Sequence, residues 1–97
     1  MVTLHVMDQR GALPGGDLVT QGLADLAAAT ESVPALVVSI GAPRLRSLGI
    51  DVGPCIPQPE RRLYAQLAAD DSNAAHSRYN SLVRRLVSFE RAAACVR

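Results

Sequence analysis

The chain has 97 residues with 48% hydrophobic and 3% aromatic content, which suits one domain near the small end of what folds alone. Its net charge of +1 at pH 7 gives no long-range field to steer it toward nucleic acid or an anionic membrane. No apolar run approaches the roughly 20 residues of a membrane span, and no basic region followed by an apolar core marks a secretory signal. A cytoplasmic location is therefore expected. Cys55 and Cys95 have no CxxC partner, so they read as free thiols rather than as a zinc or redox pair. Tyr64, Tyr79 and Phe89 are the only bulky rings, so Ala, Leu and Val must do most of the packing. Such a core is marginal, and pairing with a second copy would help it.

In chain order, Val2, Leu4 and Val6 alternate with Thr3 and His5, which reads as a short edge strand or as an arm laid over a helix. Gly11, Pro14, Gly15 and Gly16 make the following stretch a loop. Gly11 to Gly16 lacks the GxGxxG spacing and the following Lys of a phosphate-cradling loop, so its role is to let the chain turn. Asp17 is a candidate N-cap for a helix running to about Thr30, with Val19, Leu23, Leu26 and Thr30 on one stripe. Gly22, inside that helix, costs about 1 kcal/mol against Ala, which a closely packed neighbouring backbone would explain.

Ser32 and Pro34 read as a helix start, whereas Leu36, Val37, Val38 and Ile40 read equally as a buried strand. We favour two short helices broken at Gly41-Ala42-Pro43, the second stopped by Gly49. Gly53, Pro54, Pro57 and Pro59 mark an ordered connector. Pro59 then opens a helix with Leu63, Tyr64, Leu67 and Ala68 on one face.

The most regular stretch is Ser72 to Arg97. Ala75, Tyr79, Leu82, Leu86, Phe89, Ala93 and Val96 succeed one another at steps of four and three, which places them on one stripe of a long helix. Asp70, Asp71, Ser72 and Asn73 are its candidate N-caps. The short turn before it predicts an αα-hairpin with Tyr64, Leu67, Tyr79 and Leu82 in contact.

Four features of the chain are candidates for chemistry. A helix-turn-helix over Leu23 to Ile40 is disfavoured, because Pro34 to Ser39 carries one hydroxyl and no Arg, Asn or Gln to read bases. Ser77, Ser81, Arg84, Ser88 and Arg91 form a polar row on the long helix, flanked by Arg78 and Arg85. That row suits phosphates without sequence choice, or is simply a solvated face. His76, near Asp70 to Asn73 and Tyr79, is a candidate base but has no second ligand to make a metal set. Finally, the apolar stripe is either an intramolecular spine or a two-fold seam, alone or with the adjoining Val83–Val87–Ala94 row.

These readings predict an all-α domain over 1–97, a bundle of four to five helices with residues 1–16 as an arm and loop. The alternative is an α+β fold with strands at 2–6 and 35–40. The function expected is a non-catalytic protein–protein interaction or accessory module, homodimeric through Tyr79, Leu82, Leu86, Phe89 and Ala93, or bound to another protein. A nucleic-acid regulator using Arg78, Arg84, Arg85 and Arg91 is the alternative, and a small enzyme or ligand-binding domain around His76 the third reading. No cofactor, metal or membrane partner is expected.

Overall fold

A computed structural model describes residues 12–96. It contains α1 (Gly16–Ala27), α2 (Val33–Ser47), α3 (Pro59–Asp70) and α4 (Ala75–Val96), and no strand among the described residues. The fold is thus an all-helical bundle, in which α2 packs against each of the other three helices and α4 does the same. Residues 2–6, the expected strand or arm, lie outside the described residues; 35–40, its alternative strand partner, is helical.

Gly15, with φ 71°, is the N-cap of α1, and Asp17 sits in the first turn instead of capping it. A side chain at Gly15 would run into the backbone carbonyl of Arg85, so the start of α1 lies directly on α4. At the other end, the Ala29 N–H donates to the Leu26 carbonyl and the Thr30 N–H to that of Asp25. This is a Schellman stop, three residues earlier than expected, with Ala29 at φ 56° where glycine is usual. The left-handed backbone costs an alanine about 1–2 kcal/mol.

The largest departure from expectation is α2, one continuous helix through Gly41 and Pro43 where two short ones were favoured. Ser32 caps it by accepting from the Ala35 N–H at 3.1 Å, with Pro34 in the first turn. Ala35, Leu36, Val37, Val38 and Leu45 are all fully buried. The first half of the helix is apolar on every side and has no amphipathic period to read, which makes this stretch ambiguous in sequence; its exposed polar residues, Arg44, Arg46 and Ser47, come only in the second half. Pro43 removes one ladder bond at about 3 kcal/mol, but burying each Leu or Val contributes about 1.5–3 kcal/mol, and burial wins. Pro43 itself is exposed. Gly49, at φ 86°, stops the helix in a second Schellman motif, in which Ile50 N–H meets Leu45 O and Gly49 N–H meets Arg46 O.

The connector from 51 to 58 is ordered by its own packing. Val52 is buried, and the Ile56 N–H donates to the Ser39 hydroxyl at 3.1 Å. Ser39 Oγ in turn donates to the Ala35 carbonyl at 2.9 Å, so the buried polar residue of the core is satisfied in both directions. Gln58 (φ 50°) and Pro59 then open α3, which buries Leu63 and Leu67.

Asp71 Oδ1 accepts from the Asn73 and Ala74 N–H groups in the turn, so α4 begins at Ala75, three residues later than expected. Its 22 residues make a rod of about 33 Å at 1.5 Å each, within a body of 43 × 24 × 21 Å. The Tyr64 and Tyr79 rings meet as anticipated, with centroids 5.9 Å apart. Glycine also has a packing role at two contacts of α2. A Cβ on Gly22 would collide with the Pro34 carbonyl and with Val38, and one on Gly41 would come within 2.8 Å of Leu86 Cδ1. Gly22→Ala is therefore expected to lower stability by about 1–3 kcal/mol in urea denaturation, although helix propensity alone favours it by about 1 kcal/mol. A variant as stable as the parent would contradict the close approach of α1 and α2.

Candidate functional site

The stripe of α4 points inward. Leu86, Phe89 and Ala93 are buried against their own chain, and Tyr79 and Leu82 are half-buried against the same core. The five residues read as a dimer seam thus hold α4 onto α1, α2 and α3 as a spine. Val96, at 68% exposure, is where the stripe leaves the core. What stays open beside it is the adjoining row, with Val83 and Val87 half-buried and Ala94 exposed. Tyr64, exposed at 41%, adds a ring on the α3 side of the hairpin.

The four arginines of the polar face divide into two kinds. Arg78 Nη1 meets Asp70 Oδ2 at 2.7 Å, and Arg85 Nη2 bridges both oxygens of Asp17 at 3.1 and 3.2 Å. These two tie α4 to α3 and to the start of α1. Arg84 and Arg91 are exposed and make no ion pair among the described residues. The helix-turn-helix placement finds its second element in α2, where Leu36, Val37 and Val38 are fully buried and unavailable to a groove.

His76 is exposed, with Nε2 3.2 Å from Asn80 Nδ2 one turn along α4. Tyr79 is part-buried, and burial together with the nearby Glu60 carboxylate pushes its hydroxyl above the usual phenol range. Cys55 and Cys95 are both free and exposed. Among the described residues no three His, Cys, Asp or Glu side chains converge as a metal set, and no helix is long and apolar enough to cross a membrane.

A cleft of about 350 Å³ opens between the α1–α2 turn and the α2–α3 connector. Leu26, Ala29, Pro54, Ile56 and Pro57 give it an apolar lining, and Thr30, Glu31, Cys55 and Arg62 add polar atoms. Arg62 donates from Nη2 to Glu31 Oε1 at 2.7 Å and from Nε to Oε2 at 3.1 Å. That fork holds the Glu31 carboxyl below its ordinary range and raises the guanidinium further. Cys55 Sγ accepts from Arg46 Nη2 at 3.3 Å. Sequence reasoning did not find this cleft. Its one local signal was the proline-marked connector, and the pair that spans it is 31 residues apart.

Comparison with protein-family models, with curated proteins and with solved structures finds no match to this chain.

Within the Val83–Val87–Ala94 row, at the helical position between Val87 and Ala94, Glu90 is half-buried against Gly41. Burial raises its carboxyl above the ordinary 4.5, and Arg44 opposes this only in part. The folded state therefore holds the proton more tightly than the unfolded one, and stability falls as pH rises through the unfolded value toward the folded one. Glu90→Gln is expected to be more stable than the parent at neutral pH, with the margin closing below pH 4.5. Thermal unfolding across that range checks it, and a margin that widens in acid would reverse the assignment.

Proposed function

We propose that the chain is a non-catalytic helical interaction module that pairs with a second copy of itself along the outer flank of α4. The observation behind this reading is the partly open apolar row Val83–Val87–Ala94 on the longest helix, beside a stripe already closed inside the fold. A rod of about 33 Å gives a two-fold mate a long, straight surface, and the neighbouring Tyr64–Tyr79 pair adds the ring area that interfaces favour. In this reading the module works in the cytoplasm, where Cys55 and Cys95 stay reduced. Sedimentation should show a dimer, and Val83→Asp with Val87→Asp should give a folded monomer by circular dichroism. Leu86→Asp is the wrong probe because that side chain is in the core, 3% exposed, and its loss would unfold the chain. A parent that sediments as a monomer at every concentration defeats the proposal.

Arg84 and Arg91, which make no ion pair among the described residues, support a second reading in which the polar face of α4 binds nucleic acid. Here the prediction is retention on heparin that drops steeply with salt and disappears in Arg84→Ala/Arg91→Ala. Passage through the column at low salt would end it.

A further inference from the structure

The cleft beside Glu31 and Arg62 has a chemistry of its own, and it does not depend on self-association. Its walls are fixed from several sides. Ile56 is held to the core by the Ser39 hydroxyl, and the α1–α2 turn is closed by its own Schellman bonds, both independent of the exposed Arg62–Glu31 fork. The space is therefore formed before anything enters it, and about 350 Å³ is at the small end of ligand pockets.

Charge decides what suits it. Arg62 uses Nε and one N–H of Nη2 on Glu31, leaving the Nη1 hydrogens and the second Nη2 hydrogen as donors. Each Glu31 oxygen accepts one of those bonds and keeps a further lone-pair direction. The Arg62–Glu31 pair thus presents donors and acceptors together with its two charges opposed, while the nearby Arg46 guanidinium is turned to the Gly53 carbonyl and Cys55 Sγ. A ligand carboxylate reaching Arg62 also meets the Glu31 carboxylate, and an ammonium reaching Glu31 also meets the guanidinium. A neutral group that accepts and donates can use both without disturbing the pair. Leu26, Pro54, Ile56 and Pro57 offer an apolar bed for the rest of such a molecule.

We infer that this cleft is a binding site for a small uncharged amphiphile, an apolar body of about one ring bearing a carboxamide that accepts from Arg62 and donates to Glu31. Three one-ring probes of similar size separate the possibilities: benzamide, benzoate and benzylammonium, titrated into the full chain and followed by amide chemical shifts. Benzamide should give saturable shifts at Thr30, Glu31, Cys55, Ile56 and Arg62, with the two ions about three- to tenfold weaker, as loss of a net hydrogen bond implies. The order should then invert on demand. Arg62→Met leaves a lone carboxylate and should make benzylammonium the best of the three, and Glu31→Gln should do the same for benzoate. Both side chains are exposed, so the fold should survive either change. No saturable shift, shifts centred elsewhere, equal affinity for the three probes, or an order unmoved by both variants would each overturn the inference.

Discussion

Everything in this bundle depends on enclosing α2. Its first half has apolar residues on all sides and is stable only if neighbours cover it completely, and a chain of this size has few elements with which to do so. The solution is close approach. Gly22 lets α1 lie against the first turn of α2, and Gly41 admits Leu86 from α4, so that Leu36, Val37 and Val38 lose all contact with water. With only one phenylalanine in the core, the number and proximity of small contacts must do what large rings do elsewhere. The connector and α3 close the remaining side through Val52, Leu63 and Leu67.

This arrangement explains which parts could be read from sequence. The α4 stripe was legible because a helix buried on one side alternates apolar and polar residues at a fixed period, and the hairpin followed from the short turn before it. The Tyr64–Tyr79 contact came with it. The same logic failed in the first half of α2, because residues 35–38 have no polar face to set against an apolar one. Gly41 and Pro43, local signs of a break, were outweighed by burial that only the tertiary structure supplies. Asp17 had the right chemistry but lay off the observed cap of α1, while Ser32 at the start of α2 and Gly49 past its end stood where the backbone needed them.

The candidate surfaces divide in the same way. Periodicity found the stripe but could not say how much of it the chain itself would cover, and most of it is covered. The polar row was visible as a row, yet its pairing was not, since Asp17 and Arg85 are 68 positions apart. The cleft left almost no trace, because Leu26, Ile56 and Arg62 meet only after three segments have packed. Ion pairs that join distant segments at the surface are each worth about 0–1 kcal/mol, so they select an arrangement more than they stabilise it.

The hydroxyl of Ser39 bears on a different question, the angular setting of α2. An apolar cylinder can turn about its axis in an apolar sleeve with little change in buried area. A slip by one residue turns the surface by about 100°. Here such a turn would carry the hydroxyl away from the Ile56 amide and leave the isopropyl group of Val38 or the sec-butyl group of Ile40 in its place, with a part-buried backbone donor left unpaired. One oxygen atom thus helps to index the phase of the first half of the helix, whose greasy circumference alone could not.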